Sequence, residues 1–174
     1  MKRAYSSVAA LGFSILVCAL VVFPSLVRAQ ATNQCGPRQP VTIDSRTING
    51  CQFPIEVAVV SNNECQDVVT LADGTTITRI TGRLVLSFTN NDTGFTIVRN
   101  VSGPTTETDH PDGTATFVGE GENWFGFGPR SQANTGEPGL VFTSGLVALQ
   151  IAGGAVISFS LNGTQVNGCE LLND

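Results

Sequence analysis

The stretch Thr75-Thr76-Ile77-Thr78-Arg79-Ile80-Thr81-Gly82-Arg83-Leu84-Val85-Leu86-Ser87-Phe88-Thr89 decides the fold class. From Ile80, the residues Ile80, Leu84, Leu86 and Phe88 point one way, and Arg79, Thr81, Arg83, Ser87 and Thr89 point the other. Period-two alternation, enriched in β-branched residues, is the signature of a half-buried strand. Gly82 interrupts the row where a bulge or a bend fits. Asn90-Asn91-Asp92-Thr93-Gly94 then supplies turn chemistry and Phe95 to Val101 runs back, so 75–101 reads as a long antiparallel hairpin. Such a hairpin needs further strands or a second layer to bury its apolar face.

Those strands lie on both sides of it. Upstream, Phe53, Ile55, Val57 and Val59 alternate with polar or small residues, and Phe53–Val60 reads as a hairpin with Gln66–Leu71 across Ser61–Glu64. Ala72-Asp73-Gly74 is a strong hairpin turn between Val68–Leu71 and Thr75–Thr78. Downstream, Gly103–Pro111 reads as a polar loop, and Thr114–Gly119 and Asn123–Gly128 as two short strands around Gly119–Glu122. Arg130–Pro138 reads as a second irregular loop. Leu140–Ile151 and Val156–Leu161 form a hairpin across Gly153-Gly154, kinked at Gly145, and Asn162-Gly163 leads into a last short strand. No stretch keeps a helical period over the length a stable helix needs. The expectation is an all-β antiparallel meander of about eight or nine strands, closed as a small barrel or split as a sandwich.

The N-terminus is of another kind. Lys2 and Arg3 precede an apolar run from Val8 to Phe23, broken by Pro24 and followed by the small-x-small site Ala29-Gln30-Ala31, with Val27-Arg28-Ala29 as the alternative. The run is short for a bilayer span, and 1–31 reads as a secretory signal peptide. Cys18 sits among large apolar residues within it, which is not a lipidation context. Residues 32–50 then read as an extended N-terminal arm and 51–174 as a single all-β domain, about 143 residues in all and enough for one core. The chain carries −5, and loss of Lys2, Arg3 and Arg28 with the leader takes it to −8. An acidic chain with six scattered arginines and no basic run is a poor partner for nucleic acid or an anionic membrane.

Cys35, Cys51, Cys65 and Cys169 follow the leader, and an even count in an exported chain reads as two disulfides. With no C-x-x-C pair and a single histidine, a zinc site is disfavoured. If Phe53–Val60 and Gln66–Leu71 pair as a hairpin, Cys51 and Cys65 lie at opposite ends of it, well beyond disulfide reach. The expected pairs are Cys51–Cys169 and Cys35–Cys65.

Short motifs along roughly 50–170 carry a resemblance. They are Cys51-x-Phe53-Pro54, Thr81-Gly82-Arg83-Leu84, Val101-Ser102-Gly103-Pro104, Asp112-Gly113-Thr114, Gly139-Leu140-Val141-Phe142, Thr143-Ser144-Gly145 and the terminal Cys169. With this order of elements the chain resembles a group of small exported β-rich proteins of actinobacteria and similar bacteria that have no assigned activity. The resemblance implies a single exported β domain and supports Cys51–Cys169; it brings no functional residues, and Cys35 and Cys65 lie outside it.

Chemistry is bounded mainly by what is missing. Beyond the leader there is no lysine, no tyrosine and, once the cysteines pair, no free thiol. Schiff-base, P-loop and cysteine-nucleophile mechanisms therefore fall away, and no G-x-S-x-G, H-E-x-x-H or dinucleotide fingerprint occurs. His110 would have to serve any triad, yet it precedes Pro111 in a polar loop, the setting of a solvated turn residue. Asp109 and Asp112, with Glu107, offer oxygens to calcium without EF-hand spacing, and Pro111-Asp112-Gly113 is ordinary turn chemistry. Glu120 and Glu122 are the nearest approach to a hydrolase's carboxylate pair; at i, i+2 in a glycine-rich turn they serve solubility. Trp124, Phe125 and Phe127, followed by Arg130, are the candidate ligand-binding residues. In a strand Trp124 and Phe125 face opposite sides, so they are core on two faces or a platform for an aromatic ligand or a glycan. The sequons at Asn91, Asn100 and Asn162 sit in or near turns.

The expected function is that of an exported non-enzymatic β domain, structural or binding a protein, glycan or small apolar partner, with no cofactor. The alternatives are a hydrophobic-ligand barrel like the dirigent or allene-oxide-cyclase proteins, and a carboxylate-dependent hydrolase.

Overall fold

The computed structural model describes residues 35–173, and the leader reading lies outside them. Twelve strands and two short helices follow in order: β1 (Gln39–Pro40), β2 (Arg46–Ile48), β3 (Ile55–Asn62), β4 (Cys65–Thr70), β5 (Thr76–Thr81), β6 (Leu84–Asn90), β7 (Thr96–Asn100), β8 (Thr105–Asp109), β9 (Ala115–Gly119), β10 (Glu122–Gly126), α1 (Pro129–Thr135), β11 (Leu140–Ala152), β12 (Ala155–Asn167) and α2 (Gly168–Leu171). Every pairing is antiparallel. One sheet has eight strands, in the order β1-β4-β5-β8-β9-β11-β10 with β12 on β11, and the other has β2-β3-β6-β7. Among the described residues no pairing closes a barrel, and the architecture is a sandwich.

The register turns this list into a six-stranded meander. Asn62 pairs with Leu84 and Cys65 with Thr81, and between them Asn63 N–H donates to the Arg83 carbonyl at 2.8 Å. So β3–β4 and β5–β6 are two long strands paired through the point where each changes sheet. The same holds for β7–β8 against β5–β6, where Ile80 pairs with Thr105 and Val101 N–H donates to the Leu84 carbonyl at 2.9 Å. It holds again for β9–β10 along one edge of β11, where Gly119 pairs with Val147 and Glu122 with Ser144.

One transverse row marks where the strands bend. Gly163 pairs with Gly145, whose N–H donates to the Gly121 carbonyl at 3.1 Å. Continuing the register outward places Gly121 beside Gly103, Gly103 beside Gly82, and Gly82 beside Glu64. Backbones crowd here as no side chain would permit. A Cβ would lie 2.4 Å from the Asn63 carbonyl oxygen at Gly82, 2.1 Å from that of Glu120 at Gly103, and 2.0 Å from that of Ser144 at Gly163. Five glycines line the crease: at Gly82, Gly103, Gly145 and Gly163 neighbouring backbones approach more closely than a Cβ allows, and Gly121 holds φ 75°. On one side of the crease β5, β8, β9 and β11 form a continuous sheet; on the other, β7 pairs with β6, β10 pairs with β11, and the two halves face each other.

The facing halves enclose the main core, with Ile55, Val57, Leu86 and Phe88 from β3 and β6 against Leu140 and Phe142 of β11. Phe88 packs edge-on against both Phe142 and Trp124, at 4.9 and 5.3 Å between centroids, the arrangement that ring quadrupoles favour. A second cluster, Phe127, Val141 and Leu149 with Phe117, Phe125 and Phe159 against it, completes the interior. Leu140–Thr143 is consequently buried on both faces of its strand.

Both disulfides form as expected, Cys51–Cys169 and Cys35–Cys65, each with Cα atoms 5.5 Å apart. The hairpin used to exclude Cys51–Cys65 is, however, incorrect. Ser61–Glu64 is no turn: it pairs with the β5–β6 bend and carries the chain from one sheet to the other. Two further readings change in the same way. Gly119–Glu122 does not turn the chain back, since β9 and β10 follow the same edge of β11 in one continuous register, and Asn162-Gly163 lies inside the unbroken β12. In each case the backbone groups are satisfied by a neighbouring strand, which the local sequence does not reveal.

The 130–138 region is partly helical. Pro129 starts α1, and Gly136 ends it at φ 76°, with its N–H donating to the Gln132 carbonyl. Gln132 Nε2 donates to the Gly50 and Phe127 carbonyls, tying the helix to the end of β10. The arm contributes β1 and β2, one short strand to each sheet.

Candidate functional site

Opposing strands that part at a crease leave a wedge of space, and a cavity of about 360 Å³ occupies it. Its aromatic wall is Phe117, Trp124, Phe125 and Phe127, and its aliphatic wall includes Ile80, Leu84, Val101 and Leu149. The polar groups are few: Arg46, Glu64, Thr105 and Asn123. A mostly apolar hollow of this size with a few polar groups has the composition of a small-molecule pocket.

Each polar group has a distinct position. Asn123 is buried and its Nδ2 donates to the Glu120 and Gly121 carbonyls, so it holds the crease together. The Arg46 guanidinium lies over the Trp124 ring, 5.0 Å from its centroid, on an otherwise exposed residue. Glu64 is largely covered, like Asn123, but differs from it in its side-chain partners. Among the described residues no hydrogen bond or ion pair reaches its carboxylate; its backbone carbonyl accepts from Val41 N–H. Burial alone pushes its carboxyl above the ordinary glutamate range.

The aromatic candidates are thus brought together. Trp124 reaches the cavity while packing on Phe88, and Phe125 sits between Phe117 and Phe159 at 5.4 and 6.0 Å. Phe127 is 1% exposed and belongs to the second core. Arg130 does not join them; it is exposed and lines a neighbouring cleft with Gly154 and Val156. Sequence reasoning missed Glu64, Arg46 and Phe117. Glu64 was hidden by the turn assigned to Ser61–Glu64, although its place beside Cys65 hinted at burial.

The remaining candidates lie elsewhere. Asp73 and Asp112 serve two matching turns, Leu71–Thr75 and His110–Thr114, which lie side by side on the paired β5 and β8. Asp73 is held below the usual carboxylate range by hydrogen bonds from Thr75, backbone first, and Asp112 by hydrogen bonds from Thr114, hydroxyl first. His110 Nε2 is 3.2 Å from Thr116 Oγ1. Among the described residues no group of three or more histidine, cysteine or acidic side chains is placed to hold a metal ion. Glu107 is raised by burial and then by Asp109. Glu120 and Glu122 are exposed, and Glu122 lines a separate cleft with Arg99, Phe142 and the buried Thr143. The sequon asparagines Asn91, Asn100 and Asn162 are exposed.

Two disulfides fit an oxidising compartment, and no helix among the described residues is long and apolar enough to cross a membrane. Set against protein-family models, curated proteins and solved structures, the chain matches nothing in any of the three.

Proposed function

We propose that this chain is an exported, non-enzymatic β domain that holds a small, largely apolar ligand in the crease cavity. The observation that carries the reading is the cavity itself, about 360 Å³ walled by four aromatic side chains drawn from both cores. The hollow opens to solvent and its lining is mostly apolar, so an apolar ligand seated in it removes that surface from water. The leader pattern and the two disulfides support export, in keeping with the resemblance to small exported bacterial proteins.

The test is calorimetric titration with phenylbutanol, an apolar molecule of suitable size. Wild-type protein should bind it saturably, and Thr105→Trp, which places an indole in the cavity, should not. Absence of saturable binding to the wild type, or equal binding to both proteins, refutes the reading.

A further inference from the structure

The acidic group lining the cavity is the Glu64 carboxylate. It sits at the end of the glycine row, opposite Gly82, where the creased backbone carries the chain from β3 to β4. The position is structurally constrained on every side. Asn62 Oδ1 accepts from Glu64 N–H at 2.9 Å, the Glu64 carbonyl accepts from Val41, and the next residue, Cys65, is locked to Cys35. The Glu64 backbone is thereby fixed at the lining of the cavity. The residue is largely covered, yet its carboxylate oxygens keep contact with solvent and take no partner among the described residues, so an acidic group stands at the edge of an apolar cleft, open to a ligand.

We infer that Glu64 is the recognition residue of the cavity, and that its ligand is an apolar molecule bearing a protonated amine, the ammonium pairing with the carboxylate while the hydrocarbon part lies against Trp124, Phe117 and Leu149. This rests on the ligand-binding reading above and adds the ligand's charge. Arg46, the one basic residue lining the cavity, does not pair with Glu64 within 4.0 Å. It is exposed and stacked on Trp124, so its charge is solvated and calls for no anionic partner. The carboxylate is the charge left without one. Aromatic faces also favour a cation at the same end of the ligand.

Phenylbutylamine, phenylbutanol and phenylbutyrate share a hydrocarbon body and differ in charge, which makes them the probes for titration against wild-type protein and Glu64→Gln. A charge-assisted hydrogen bond in a partly covered site predicts that the amine binds wild type about 10-fold more tightly than the alcohol. Glu64→Gln should erase that preference and leave the alcohol's affinity within about threefold, within the range expected for an isosteric change. Equal affinities of amine and alcohol for wild type overturn the inference while the cavity reading stands, and so does a preference for phenylbutyrate, which would make Arg46 the anchor. No binding of any probe removes the cavity reading and this inference with it. Should Glu64→Gln fail to fold, the wild-type ratio of amine to alcohol decides alone.

Discussion

Replacing Gly163 by alanine tests the crease with a single methyl group. Gly163 pairs with Gly145 at the middle of the β11–β12 ladder, and its backbone lies outside the left-handed region, so alanine suffers no dihedral penalty there. The penalty is spatial. The new Cβ would stand 2.0 Å from the Ser144 carbonyl oxygen and 2.9 Å from Gly145 Cα, both backbone atoms that cannot rotate away. Ordinary contact begins at 3.4 Å, so β11 and β12 must separate locally by more than about 1 Å. Forced overpacking costs about 1–3 kcal/mol. The separation also weakens the two adjoining ladder hydrogen bonds, at about 0.5–1.5 kcal/mol each. The expected loss is about 2–6 kcal/mol, a large part of the stability of an ordinary domain. For a chain of this size that lowers the melting temperature by roughly 10 °C. Gly128→Ala is the control, because Gly128 has φ −71° and nothing within 4 Å of its would-be Cβ. Urea and thermal unfolding followed by circular dichroism give both numbers. A Gly163→Ala protein within about 0.5 kcal/mol of wild type would show that the strands do not approach as described.

Other perturbations bear on separate parts of the account. Gly74→Val should destabilise by more than about 1 kcal/mol, since φ is 89° there and a β-branched residue is strained at that angle; an unchanged urea midpoint would contradict the turn. Removing Cys51–Cys169, which closes 118 residues, should cost about 5 kcal/mol, and removing Cys35–Cys65, which closes 30, about 3.5 kcal/mol, in the chain-entropy model; non-reducing peptide mapping and paired Cys→Ala variants check both the linkage and the order. Glu64 makes a prediction in pH. Its folded carboxyl is raised above 4.5, so the folded state holds a proton that the unfolded state has released, and stability falls as pH rises from 4.5 through the folded value. Glu64→Gln should flatten that part of the ligand-free stability profile and be more stable than wild type at neutral pH. A profile unchanged by the substitution would mean the carboxylate is solvated.

Much of this was readable from residue order, and the errors share one cause. Alternation in Ile80–Phe88 identifies a strand with one buried face, and of the bulge or bend that Gly82 suggests within it, the structure has the bend. Gly153-Gly154 and Asp73-Gly74 announced their hairpins because a turn's dihedral demands are local. What sequence could not separate was a turn from a crossing between sheets. Ser61–Glu64, Gly119–Glu122 and Asn162-Gly163 all carry polar or glycine residues, yet each keeps its pairing through the crease instead of reversing the chain. The spacing that unites Gly82, Gly103, Gly121, Gly145 and Gly163 becomes a row only once strand register is known. The cavity follows from the crease, which is why Trp124, Phe125 and Phe127 were visible as an aromatic group while Glu64 was passed over.

Diffraction from crystals soaked with para-bromophenylbutanol tests the central claim most directly, because the anomalous signal of bromine locates the ligand without reference to any functional assay. The account predicts one dominant bromine peak inside the crease, between Trp124, Phe117 and Leu149, absent from Thr105→Trp crystals soaked in the same way. A saturating soak that leaves the wild-type cavity without bromine would contradict it.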